Sequence, residues 1–319
     1  MARPDLLLVG GSVGLLAAVT LLSRALVHPT DPAPLARWLA HGLPIAGVAI
    51  AAALMREHRI ALAVVFGTSV ALLSIVPGAL AFSGSHGQVP RRWSGIWLFC
   101  PVVAALAFAA GFRGQLTWFE AGALMFQGLI VLSVAGGKSG DEVLSPAAHD
   151  PAPASGGWRM VEILALLALL GVGAWAAVRG AAAMAQRDYR ISSAAVATGF
   201  LSAALALPVI SSGTPLALCR RGWAAINCCV LIVLGNLCVL LPALVFIRLG
   251  QSLRREGEIR ALDYPLANWR IDAMLLVVLS LVLVPVGLGR MRLDRWLATA
   301  LVLIYCAYVL MAIRHSAAW

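Results

Sequence analysis

The stretch HGLPIAGVAIAAALMREHRIALAVVFGTSVALL (41–73) contains two apolar runs, the first interrupted by Pro44 and the second by Gly67-Thr68-Ser69. A bilayer core of ~30 Å takes about 20 residues of helix. These runs are long and continuous rather than alternating at every second residue, so they read as spanning helices and not as strands of a barrel. Proline removes a helix donor and glycine weakens the helix, so both interruptions fall where a spanning helix is least able to absorb them. No carboxylate accompanies either interruption.

The same composition extends over the whole chain. Of 319 residues, 61% are hydrophobic and 12% charged, and the mean hydropathy is +0.91. That excludes a soluble domain. Lipid offers no partner to backbone groups, which leaves helices or a closed barrel. Ten candidate spans follow: 5–26, 38–55, 60–83, 95–112, 117–136, 160–178, 192–212, 224–247, 272–289 and 296–313. The first is read as a retained helix, because its apolar run is long for a secretory signal and Asp5 spoils the basic head.

The net charge of +10 comes from arginines set between apolar runs, with Lys138 the single lysine. Loop arginines facing water and headgroups account for this, and no nucleic-acid partner is expected. The six cysteines, Cys100, Cys219, Cys228, Cys229, Cys238 and Cys306, form no CxxC pair and read as small buried hydrophobes.

Between the fifth and sixth runs, GGKSGDEVLSPAAHDPAPASGGW (136–158) has the Gly, Ser, Pro and Ala content of a flexible linker. It divides the chain into a first five-helix repeat (1–136), a linker (137–158) and a second five-helix repeat (159–319). RGQLTWFEAGAL (113–124) and RMRLDRWLATAL (290–301) align without gaps. An odd number of helices per repeat makes the two halves insert upside down relative to each other, the inverted-repeat plan of many secondary transporters. The expected fold is therefore an all-α integral membrane protein of about ten helices in two inverted repeats.

GAWAAVRGAAAMAQRDYRISSAAVATGFLSAALALPV (173–209) resembles the sixth and seventh helices of the cation/calcium exchanger superfamily, with Arg179, Gly180, Ala181, Ile191, Ser192 and Pro208 in register. The last two helices, from NWRIDAM onward, resemble the same family. In the first half, Ile60, Ala61, Leu62 and Gly67 match, and Thr68-Ser69 stand where Ser-Asn is expected. The resemblance implies paired helices broken at mid-membrane by Pro44 and Gly67 and by Pro208 and Gly235, around a Na⁺ and Ca²⁺ pathway. It also exposes departures. The two essential glutamates of the family fall on Ile45 and Val209, and Gly-Thr-Ser before the second proline has become Ala204, Leu205 and Ala206.

No carboxylate is expected near a midplane, with Glu120 and Glu162 at helix ends and the other twelve acids in loops or at helix edges. Ca²⁺ takes six to eight hard oxygens, usually with carboxylates among them. The remaining polar candidates for a pathway are His41, Thr68, Ser69, Ser211, Ser212, Asn227 and Asn236, beside Pro44, Ile45, Gly67, Pro208 and Val209. His41 reads equally as an interfacial residue, and the hydroxyls as groups that bond back to their own helices. Asn227 and Asn236 lie nine residues apart, on opposite sides of one helix. No enzyme chemistry emerges: a Ser-His-Asp set would need a buried Asp, and the six histidines are scattered.

The expected function is secondary transport of monovalent or divalent cations across a bacterial-type inner or plasma membrane, with no cofactor. A scaffold or regulator that keeps the fold without transporting, and a transporter of another small solute, stay open beside it.

Overall fold

Helices make up nearly all of the computed structural model, which describes residues 7–15, 17, 34–84, 94–137, 156–187, 192–218, 222–256, 259 and 261–317. Residues 7–15 form α1. They are followed by α2 (Pro34–Leu54), α3 (His58–Leu73), α4 (Ile75–Ser83), α5 (Ser94–Ala110), α6 (Trp118–Gly137) and α7 (Gly156–Arg187). The second half continues with α8 (Ser193–Val196), α9 (Ser202–Leu218), α10 (Gly222–Gly235), α11 (Leu241–Glu256), α12 (Leu266–Gly287) and α13 (Arg295–Ala317). Short π-helical turns, Ala197–Leu201 and Asn236–Leu240, join α8 to α9 and α10 to α11. Most of the linker, residues 138–155, lies outside the described residues, as do 18–26 and Cys219.

Six helical runs among the described residues are long and apolar enough to cross a membrane: His58–Ser83, Leu164–Ala185, Ser193–Leu218, Gly222–Arg255, Leu266–Gly287 and Arg295–Arg314. His41–Leu54, Gly95–Ala110 and Trp118–Val131 are shorter apolar helices. Large apolar side chains such as Phe126, Leu129, Leu164, Val172, Leu303 and Leu310 face outward on α6, α7 and α13. On a chain this apolar, such a surface is the one that lipid covers.

At the centre stands α3, with every residue from Ile60 to Leu73 buried. A helix enclosed on all sides is apolar all round, so it carries no amphipathic stripe. It packs against α2, the π turn at 197–201, α9, α10 and α12. The α2–α3 turn closes as a Schellman motif: Glu57 N–H donates to Ala52 O at 2.9 Å and Arg56 N–H to Ala53 O at 3.0 Å. Arg56 takes the left-handed position of that motif at φ 67°.

The helix interruptions differ in place from those expected. Pro44 and Pro208 lie inside continuous helices. The third run breaks at Ser74 (φ −121°, ψ −77°), not at Gly67. Pro77 explains it, since its ring displaces the carbonyl of Leu73 four residues back. In the eighth run the π turn begins directly after Gly235, and Pro242 again stands four residues beyond a residue of that turn, Cys238. The twelfth helix begins at Leu266, six residues before its expected start. Of the cysteines, Cys100, Cys228, Cys229 and Cys238 are buried free thiols, but Cys306 is exposed on α13, where a small apolar residue is cheap to leave against lipid.

Two features recur between the halves. Thr117 and Asp294, paired in the ungapped alignment, cap α6 and α13. The Glu120 carboxylate accepts from Thr117 N–H at 2.8 Å, closing a capping box, and Asp294 Oδ1 accepts from Leu297 N–H at 2.8 Å. The second feature is the α5–α12 contact. Trp97 at the start of α5 lies on Gly287 at the end of α12, and Trp269 at the start of α12 lies on Gly111 just past α5. The helices are thus antiparallel, each burying its own tryptophan against the other's glycine. Both indole N–H groups are buried with no hydrogen-bond acceptor among the described residues.

Candidate functional site

Gly67 brings α3 close to the α8–α9 junction: a Cβ there would come within 2.4 Å of Ser202 Oγ and 3.2 Å of Thr198 Cα. The next two residues, Thr68 and Ser69, are fully buried. Their hydroxyls donate backward, Thr68 to Val64 O and Ser69 to Val65 O, at 2.5 and 2.7 Å. That leaves their oxygen lone pairs facing out from the helix. Asn236, the first residue of the second π turn, meets them there. Its Nδ2 donates to Ser69 Oγ at 3.1 Å and to Thr68 Oγ1 at 3.4 Å. A wide π turn frees backbone from regular pairing and recurs at functional sites. Here it presents the amide that closes the polar centre.

The other sequence-derived candidates fall into four cases. Pro44, Ile45, Pro208 and Val209 are buried, and the two aliphatic side chains are part of the main apolar core. His41 and Ser212 form a second contact, with Nε2 and Oγ 3.2 Å apart. His41 is only 5% exposed and lies inside α2, not at its start. Ser211 is exposed, and its hydroxyl bonds back to Pro208 O at 2.9 Å. Asn227 is buried on α10, and its Oδ1 accepts no hydrogen bond among the described residues. An orphaned acceptor of this kind costs about 1–3 kcal/mol.

One residue escaped the sequence reading. Asp272, placed at a helix edge by the hydropathy pattern, is the seventh residue of α12 and is 5% exposed. At 1.5 Å per residue it lies roughly 9 Å into the helix. Its Oδ2 accepts from Tyr264 OH at 3.0 Å and its Oδ1 from Tyr308 OH at 2.9 Å. Tyr264 is held by a two-stranded ribbon, β1 (Gln115–Leu116) against β2 (Leu262–Asp263), and by its N–H on Gly114 O at 3.1 Å. Burial, with the Asp272 carboxylate beside it, pushes its phenol well above the ordinary tyrosine range. The signal for Asp272 was present in the sequence, as an acid ahead of an unbroken apolar run with tyrosines nearby, but only the tertiary fold brings Tyr308 of α13 to it.

The central contact gives a direct stability test. Asn236→Ala leaves two buried hydroxyl oxygens without their shared donor, and a loss of about 1–3 kcal/mol is expected. A lowered thermal midpoint in detergent checks it; a midpoint equal to that of the parent would mean the amide contributes nothing.

Comparison with known proteins bears on the same elements. Residues 159–314 match the sequence family described as "Sodium/calcium exchanger protein". Among solved structures, the H⁺/Ca²⁺ exchanger CAX is similar at a TM-score of 0.77 and 16% identity, over 100% of this chain and 85% of that one. Native YfkE follows at 0.71 and 15%, over 98% and 93%. The sodium-calcium exchanger NCX_Mj in zero Na⁺ and Ca²⁺ is similar at 0.61 and 16%, over 96% and 99%. At these identities the structural likeness is one of fold. No curated protein gives a significant sequence match. Residues 159–314 thus match the sodium/calcium exchanger family, and the chain shares the fold of the solved exchangers over its length.

Proposed function

We propose that the protein is a secondary-active cation transporter of the sodium/calcium exchanger type with a divergent ion site. The contact of Asn236 with Thr68 and Ser69 carries this reading. It sits where the buried third run meets the π turn of the eighth, between halves that we read as two inverted five-helix repeats, 1–136 and 159–319, in ten spans. The reciprocal Trp97–Gly287 and Trp269–Gly111 contacts and the matched caps Thr117 and Asp294 support the inversion. The site differs from an ordinary Ca²⁺ site in charge. Ile45 and Val209 hold the positions of the family's two glutamates, and both are buried in the apolar core.

Neutral oxygens suit a monovalent ion. Thr68 and Ser69 offer lone pairs only, because their protons are spent on helix carbonyls. Turning the Asn236 amide would replace its NH₂ with Oδ1 and present three neutral oxygens to one cation. A divalent ion in such a set would keep uncompensated charge in a low dielectric.

The experiment is flux into proteoliposomes in a bacterial-type lipid. The expected result is saturable ²²Na⁺/Na⁺ exchange, and no ⁴⁵Ca²⁺ uptake above empty vesicles under an outward Na⁺ gradient. Robust Na⁺-dependent ⁴⁵Ca²⁺ uptake would show that hydroxyls and carbonyls suffice for Ca²⁺. Absence of both fluxes would favour the scaffold reading, to which the closed apolar packing of Ile45 and Val209 already lends weight.

A further inference from the structure

A cavity of about 490 Å³ lies beside the α8–α9 junction, with Arg59, Thr198, Tyr264, Asn268, Asp272 and Tyr308 among its lining residues. Among the described residues Asp272 is the one buried acid. Both of its oxygens accept hydrogen bonds, but only from neutral phenols. A carboxylate has about four lone-pair sites, so two bonds leave acceptor capacity on each side. Withdrawing its charge from water is costly unless a counter-charge arrives.

The donor set identifies that counter-charge. Carboxylate, phenol, hydroxyl and amide oxygens line the cavity without His or Cys, which suits a hard cation. At the exposed rim, Asp263 and Arg59 carry opposite charges, so with Asp272 ionised the site has one net negative charge. A single charge matches a monovalent ion and leaves a divalent one half-compensated. The cavity is far larger than a bare ion. At roughly 30 Å³ per water, the ion can keep most of its hydration shell. Thr198 lines the cavity and also touches Gly67, the residue before Thr68 and Ser69. The cavity therefore borders the central contact through one residue.

We propose that this cavity binds a partly hydrated monovalent alkali cation on Asp272, as a second site outside the Thr68–Ser69–Asn236 contact and a station on the way to it. The station role rests on the transport reading above, whereas the binding itself does not. The test is equilibrium binding of ²²Na⁺ to the full chain in nanodiscs, with choline as background cation. Saturable binding, displaced by unlabelled Na⁺, is expected. Asp272→Asn should weaken the part of it that does not depend on Asn236 at least tenfold. Ala312→Phe, which fills the cavity from α13 without removing a polar group, should do the same and decides the matter if Asp272→Asn does not fold. Asn236→Ala should leave this Asp272-dependent binding within twofold.

Failure of the parent to bind, or full binding by folded Asp272→Asn and Ala312→Phe proteins, would overturn the proposal. So would loss of binding in Asn236→Ala alone. Asp272-dependent binding without any flux would uphold the site and sink only the transport reading.

Discussion

Ile45→Glu combined with Val209→Glu is expected to create Ca²⁺-dependent stability that the parent lacks. Both positions are sealed, with Ile45 at 0% and Val209 at 1% exposure. A lone carboxylate placed there loses water and gains no partner, so each single variant should lose about 3 kcal/mol or more, or ionise only weakly. Without Ca²⁺ the double variant is worse still, because two like charges share a low-dielectric space. A cation that binds only the folded state returns stability by mass action, about 2.7 kcal/mol at ~100 times its Kd.

The checks are the thermal midpoint with and without Ca²⁺, and ⁴⁵Ca²⁺ binding. Recovery by Ca²⁺ in the double variant, with less in either single, would mean the backbone still frames a cation site. A double variant that folds and ignores Ca²⁺ would mean the space between α2 and α9 has closed, and would move the balance from transport to scaffold.

Gly287→Ala and Gly111→Ala are expected to be among the most damaging small substitutions at the described residues. A Cβ on Gly287 would stand 2.0 Å from the Trp97 ring, and one on Gly111 1.7 Å from the Trp269 ring. Neither ring has room to yield, since both are fully buried at the α5–α12 contact. Trp269 is further fixed by Phe66, whose ring meets it edge-on at 4.9 Å. Overpacking of this severity costs about 3 kcal/mol or more. Fluorescence-detected size-exclusion chromatography should show little monodisperse Gly287→Ala protein.

Coupling distinguishes the cause. On a Trp97→Leu background, itself destabilised by the lost ring, Gly287→Ala should cost little more, because the atom it strikes is gone. Thermal midpoints of both glycine variants within error of the parent would refute the contact as described.

Much of the architecture was legible in residue order. Continuous apolar runs under a bilayer's length constraint dictate helices, and 113–124 matches 290–301 without gaps. That match reaches the level of single atoms, since Thr117 and Asp294 both cap helices and Ala121 and Ala298 are both buried. Capping and burial period are local properties, set by residues within a turn or two, so a sequence can display them. The helix interruptions were legible only in part. A proline acts on the carbonyl four residues back, but whether the helix opens there or absorbs the ring depends on neighbours. Pro77 opens α3 at Ser74, whereas Pro44 and Pro208 are absorbed.

The sites were decided by tertiary structure. Asn236 reaches Thr68 and Ser69 across 168 and 167 positions of chain, and Tyr308 reaches Asp272 across 36. No local pattern encodes which face of one helix meets which face of another. Hydropathy placed Asp272 at a membrane edge because it averages over a window. In the fold, α12 begins six residues earlier, and α13 and the β1–β2 ribbon enclose the carboxylate. From sequence alone the chain thus reads as a membrane helix bundle that resembles the exchangers. Which polar groups are buried together is fixed by helix packing, because side chains far apart in the chain meet only where close-packed helices cross.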